Sequence, residues 1–132
     1  MITEERVRYV ETDKMSVVHH SVYFHWFEVG RTELMRSLGM SYKEMEESGV
    51  IIPVIETHCK YIAPAAYDDI ILIKTEIKEK SRVTITFDYQ ITKKKNNKVL
   101  VKGWTKHTFI NQEGKIIELP KDFLKQIKKH EK

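Results

Sequence analysis

The spacing of apolar residues changes character along this chain. Between residues 21 and 38, Tyr23, Trp26, Phe27, Leu34 and Leu38 fall at helical spacing, and Val22, Phe24 and Val29 widen the stripe. The pattern predicts a long helix, apolar on most sides and largely buried, with Gly39 suited to cap its C-terminus. Ser41-Tyr42-Lys43-Glu44 has the form of a capping box and opens a short second helix that ends at Gly49. Beyond Val50 the period falls from 3.6 to 2. Residues 50 to 62 form a strand candidate, with Pro53 near its start, where a missing donor is tolerated. Residues 70 to 79 set Ile71, Ile73, Thr75 and Ile77 against Lys74, Glu76 and Lys78. Residues 82 to 92 alternate more cleanly, with Val83, Ile85, Phe87, Tyr89 and Ile91 on one side. Lys94-Lys95-Asn96-Asn97-Lys98 is a polar turn before a further strand over residues 99 to 110. At the ends, residues 3 to 11 read as a first strand with Val7 and Tyr9 on one face. Residues 12 to 19 read as a loop, and Pro120 opens a C-terminal helix with Phe123, Leu124 and Ile127 as its contact face.

Strand, long helix, short helix and about four consecutive strands predict an α+β fold in a single domain, residues 1 to 132. Strands joined by short turns are antiparallel. A sheet with one apolar face and one strongly apolar helix pack most economically as a curved sheet wrapped around that helix. Residues 99 to 110 carry large apolar groups on both faces: Val99, Val101 and Phe109 on one, Leu100, Trp104 and Ile110 on the other. The helix covers one face. The second calls for another cover, either a further copy of the chain or the C-terminal helix.

Composition narrows the picture. The 132 residues include one cysteine, Cys59, so no intrachain disulfide forms, and a reducing, cytoplasmic setting is expected. The first residues lack the basic start and apolar run of a signal peptide, and no stretch reaches the roughly 18 apolar residues of a membrane span. The net charge of +4 favours an anionic partner or serves solubility alone. Lys93, Lys94, Lys95 and Lys98 sit in one turn without interleaved aromatics, which reads as a solvated turn, not a nucleic-acid surface. His19, His20 and His25 match no established metal-ligand spacing. There is no Gly-x-Ser-x-Gly elbow and no phosphate-binding Gly-rich loop. Neither a metal nor another cofactor is therefore expected.

Two segments carry a more specific signal. Arg8-Tyr9-Val10-Glu11-Thr12-Asp13-Lys14-Met15-Ser16-Val17-Val18-His19-His20-Ser21-Val22-Tyr23, continuing through Trp26-Phe27-Glu28-Val29-Gly30-Arg31-Thr32-Glu33, resembles the acyl-CoA thioesterases of the 4-hydroxybenzoyl-CoA thioesterase and YbgC-like group. Tyr61-Ile62-Ala63-Pro64-Ala65-Ala66-Tyr67-Asp68-Asp69 resembles that group's Tyr-x-x-Pro-Ala-x-x-x-Asp turn. The resemblance covers nearly the whole chain. Ser16 stands where such proteins usually carry glycine, and Val22 where they carry asparagine. The resemblance implies the hotdog fold, an acyl-CoA substrate, paired subunits with sites between them, and catalytic roles for Asp13 and His20. Val18, His19, Tyr23, Tyr61 and Pro64, within or beside these segments, are substrate-binding candidates. Lys60 and, more weakly, Arg82 are candidates by their charge, since coenzyme phosphates need cations. The second apolar face of residues 99 to 110 favours a dimer of dimers.

The chemistry asked of these residues is simple. A coenzyme A thiol has a pKa near that of cysteine, about 8.5, and leaves as thiolate near neutral pH without a strong general acid. Asp13 can attack the carbonyl or deprotonate a water. The first N–H groups of the long helix lack intrahelical partners and can receive the developing oxyanion; the resemblance assigns this to the His20 amide. Local physics alone favours other readings: Asp13 as a turn residue, Tyr23, Trp26 and Phe27 as core, Cys59 as a packed small side chain, Glu28 and Glu33 as a solvated face or partners of Arg31. In an extended segment the side chains of His19 and His20 point oppositely, leaving one of them, His20, to face the site. The alternative function is a hotdog protein that binds acyl-CoA or an acyl carrier protein without cleaving it.

Overall fold

A computed structural model describes residues 1–130. Five strands, β1 (Ile2–Arg6), β2 (Val54–Tyr61), β3 (Ile70–Lys80), β4 (Thr84–Lys93) and β5 (Val99–Thr108), form one antiparallel sheet in the order β1-β3-β4-β5-β2. Helix α1 (Val22–Ser37) lies across one face, with the short α2 (Tyr42–Glu47) after it and α3 (Lys121–His130) at the C-terminal end. The α+β expectation holds, with the long helix packed on an antiparallel sheet.

The alternation predicted for β3 and β4 decides which face α1 covers. Ile71, Ile73, Thr75, Ile85, Phe87, Tyr89 and Ile91 are buried beneath it, while Lys74, Glu76 and Asp88 face outward. From α1, Tyr23, Trp26 and Phe27 point into this layer, and Phe27 stacks on Tyr89 with ring centroids 4.3 Å apart. Two glycines set the closeness of helix and sheet. A Cβ at Gly30 would collide with Thr75 Oγ1, and one at Gly103 would lie 2.7 Å from Phe27 Cζ. The outer side of α1 is open: His25 and Glu28 are exposed, and Phe24 and Val29 are half-buried. Burial on most sides therefore does not hold within a single chain. Glu33 pairs with Arg36.

The caps follow the sequence. Gly39 adopts φ 84° after α1, and Ser41 Oγ accepts the Glu44 N–H at 3.2 Å. Three expectations are corrected. The first strand ends at Arg6, not at residue 11, because Glu11 folds back to accept the Arg8 N–H at 2.7 Å. Residues Tyr9–Glu11 then form one 3-10 turn that leaves Tyr9 and Val10 exposed. The C-terminal helix does not cover Trp104: Phe123 packs on Phe109, 5.8 Å between centroids, while Trp104 stacks on His58 at 6.0 Å and stays half-exposed. The outward face of β5 is mixed, with Lys102 and Lys106 beside Trp104, and Ile110 lies beyond the strand, bridged to Ile51 and Ile116.

β2 is an edge strand along its whole length. Val54, Ile55 and Tyr61 are each nearly half exposed, and Ile51 and Ile62 extend the apolar edge at its two ends. No helix among the described residues is long and apolar enough to cross a membrane.

Candidate active site

The segment before α1 is a small hairpin. Thr12 bridges Val18, and the Asp13 N–H donates to the Val17 carbonyl at 2.9 Å. Its tip closes with the Ser16 N–H on the Asp13 carbonyl and the Met15 N–H on Asp13 Oδ1, 2.8 Å away. Ser16 sits at φ 64°, the left-handed region that glycine occupies at least cost. The hairpin is stitched to the turn after β2: the Val18 N–H donates to the Ala65 carbonyl at 2.9 Å, and Val17 bridges Ala66. Asp69 holds that turn by accepting the Ala66 N–H at 2.8 Å, and Lys93 pairs with the same oxygen at 3.4 Å. Lys94 pairs with Glu4 at 2.6 Å. Two lysines of the basic turn are thus engaged within the chain.

The helix begins earlier in its hydrogen bonding than in its regular geometry. The Val22 N–H donates to the His19 carbonyl at 3.0 Å and the Phe24 N–H to the Ser21 carbonyl at 3.3 Å. His19 C=O and His20 N–H belong to one peptide unit, which is planar and trans. With the carbonyl turned into the helix, the His20 N–H points the opposite way, out of the helix start. Among the described residues this N–H meets no acceptor. It carries the partial positive charge of the helix N-terminus.

His20 also borders a depression of about 280 Å³, walled by Val18, His20, Tyr23, Tyr61, Ile62, Ala63 and Pro64. Five of the residues named from the sequence therefore converge: Val18, His20, Tyr23, Tyr61 and Pro64. Tyr61 donates its hydroxyl to the His20 carbonyl at 2.7 Å, and Tyr23 OH accepts the Ala65 N–H at 3.3 Å. The rings of Tyr23 and Tyr61 meet edge to face at 5.4 Å. Burial pushes the Tyr23 phenol above its ordinary value; burial and the neighbouring Cys59 push Tyr61 up to about 12. Both remain hydrogen-bond donors at neutral pH.

The other candidates lie elsewhere. Asp13 is exposed at the hairpin tip and is not part of the depression's wall. His19 and His20 do not diverge: the segment is a turn, not extended, and their rings lie 4.2 Å apart. His19 Nδ1 accepts the Ser21 N–H at 3.2 Å and so caps the helix start. Lys60 faces the outer side of the sheet opposite Lys102, because strand alternation sets it against Tyr61. Arg82 pairs with Glu118 at 3.5 Å in the β3–β4 turn. That turn lies at the far end of β3, roughly 33 Å along the strand from the Ala66–Asp69 end. Ile62 and Ala63 line the depression unannounced by any polar signal; their place inside the Tyr-x-x-Pro-Ala turn was the available clue. Glu11 is buried; its side chain accepts the Arg8 N–H and its carbonyl the His19 N–H at 2.9 Å, a tie across the hairpin's base that no local sequence signal announces.

The sequence model of the "Thioesterase-like superfamily" matches residues 7–127. The chain belongs to that superfamily. An acyl-CoA thioester hydrolase YbgC of Escherichia coli O6:H1 is 33% identical over 91 residues, covering 69% of this chain and 68% of that one. A DHNA-CoA thioesterase from Staphylococcus aureus superposes with a TM-score of 0.92 at 34% identity, over 97% of this chain and 88% of the other. The crystal structure of a hypothetical protein from Aquifex aeolicus is 36% identical, with a TM-score of 0.91 over 96% and 98% of the two chains. The hotdog architecture is the common fold, and thioester hydrolysis is the activity of this enzyme family.

Proposed function

We propose that the chain hydrolyses acyl-coenzyme A thioesters to the free acid and coenzyme A, with the His20 N–H as oxyanion donor and Asp13 as the catalytic carboxylate. The observation that carries this reading is the acceptor-free His20 N–H at the start of α1, beside a depression with two phenols and an apolar rim. A thioester oxygen hydrogen-bonded there is polarised, and the charge that develops on it is stabilised by the helix terminus. One oxygen of Asp13 accepts the Met15 N–H, which leaves the other for the carbonyl carbon or for a water. In the net reaction the C–S bond breaks with its electron pair on sulfur, which departs as thiolate, water's hydroxyl goes to the acyl carbon, and water's proton passes to solvent, by way of the Asp13 carboxylate where that acts as base.

Asp13 stands outside the wall of the depression in one chain, and β2 presents an unpaired apolar edge. Both features support a second copy that pairs along β2 and closes each site from the other side. The half-exposed Trp104 beside His58 supports a further pairing of dimers on the outer sheet face.

The test is a hydrolysis screen across short, long and aromatic acyl-CoAs, reading released thiol. Asp13→Asn removes charge with little change of shape and is expected to lower kcat by about 100-fold or more, with the fold intact. Turnover near wild type in that variant removes Asp13 from the reaction. Binding of acyl-CoA with no thiol released by the wild-type chain would establish the second reading, a carrier or binding protein. A single turnover in 18O-labelled water tests direct attack: a first acid product without label, with the label in the Asp13 carboxylate, requires an anhydride that water opens at the Asp13 carbonyl.

A further inference from the structure

The first turn of α1 is tightened, as helix starts often are. Its amides donate three residues back, Val22 to His19 and Phe24 to Ser21. In a regular helix the Phe24 N–H would go to the His20 carbonyl. Here it goes to Ser21, and the His20 carbonyl is left without a helical partner. The hydroxyl of Tyr61 supplies one from 41 residues away, at 2.7 Å.

Tyr61 is well placed to act as a fixed post. It is the last residue of β2, paired with Val101. The next two residues are anchored as well: the Ile62 and Ala63 N–H groups both donate to the Leu100 carbonyl, at 2.8 and 3.0 Å. Its ring is braced edge to face by Tyr23 and lies 6.5 Å from the ring of His20. The two peptide units on either side of the His20 Cα are therefore both tied. The preceding one is held by Val22 through the His19 carbonyl, and the following one by Tyr61 through the His20 carbonyl. Together they restrain φ and ψ of His20.

We propose that Tyr61 is a positioning residue, whose hydroxyl locks the His20 backbone so that the His20 N–H is held at the spot where the oxyanion forms. Tyr61 acts through the His20 peptide and not as an acid or base. Preorganisation gives it value: a donor that must first be reoriented contributes less to the transition state than one already aimed. In the ground state the same bond does little for substrate affinity. The inference rests on the proposed role of the His20 N–H.

The experiment compares Tyr61→Phe with wild type in the full chain. The variant keeps the ring packing and removes one hydroxyl. Expected are a fall in kcat of about tenfold with KM within about twofold, and faster hydrogen exchange confined to the Val22 and Phe24 amides. Since Tyr61 stays protonated to about 12, the kcat ratio should be the same at every assay pH below that value. Unchanged kcat overturns the proposal. So does a kcat ratio that varies with pH, which would mark an acid–base role, and so does a loss of thermal stability with kcat unchanged in the folded protein. If the wild-type chain cleaves no acyl-CoA, the functional reading fails, and exchange at Val22 and Phe24 still decides Tyr61's hold on the helix start. Unaltered exchange there overturns it.

Discussion

Acidification from pH about 7 to about 4 should weaken the fold through one residue, His107. It lies fully buried on β5, with Nε2 2.8 Å from Thr105 Oγ1, which in turn meets Tyr89 OH at 2.6 Å. Its Nδ1 makes no hydrogen bond of ordinary geometry. Burial, reinforced by the positive charge of Arg31 and only partly offset by the Ile52 backbone, brings its pKa down from 6.5 to about 4. The ring is neutral in the folded state. Between pH 6.5 and 4 the unfolded chain takes up a proton that the folded chain refuses, so unfolding becomes easier as pH falls through that window. A depression of about two and a half pKa units, at 1.36 kcal/mol each, amounts to about 3 kcal/mol. This is a large part of the 5–15 kcal/mol that holds a typical domain together. Urea unfolding of wild type and His107→Gln across this range isolates the effect. Glutamine keeps a polar side chain and does not titrate, and the contributions of all other groups cancel in the difference. The stability advantage of wild type over the variant should shrink by about 3 kcal/mol from pH 7 to pH 4. A difference that stays constant across the window would show that the buried ring takes up its proton without penalty, and would refute the reasoning.

Two further outcomes follow from the hairpin and the sheet edge. Ser16→Gly should raise the unfolding free energy by about 0.5–1 kcal/mol, since it removes the cost of a left-handed serine at φ 64° and part of that gain is returned as unfolded-state entropy; a lower thermal midpoint would contradict it. Light scattering should give at least twice the 15.7 kDa chain mass, and a charge placed on the exposed β2 edge by Ile55→Lys should shift the mass toward one chain and cost activity with it; full activity at the mass of one chain would rule out sites completed between copies.

The alternation in residues 70 to 92 and the helical stripe from residue 22 were enough to predict the sheet, the helix and the face on which they meet. Both periodicities report directly which side chains leave water, and burial dominates folding. The caps at Gly39 and Ser41 were legible for a similar reason, because each depends on residues within one turn. Two linear segments likewise pointed to the thioesterase-like family and to Val18, His20, Tyr23, Tyr61 and Pro64, which the fold brings together. Long-range contacts decided the rest. No local rule tells that Glu11 curls back on Arg8 and ends β1 at Arg6, or that α3 packs on Phe109 and leaves Trp104 uncovered. The divergence expected of His19 and His20 failed because their segment is a turn, and its shape depends on the Tyr61 hydroxyl reaching the His20 carbonyl across 41 residues. Lys60 and Arg82 were chosen for charge, which sequence displays. Their positions, on the outer sheet face and at the far end of β3, follow from strand register, which depends on the packing of the whole sheet.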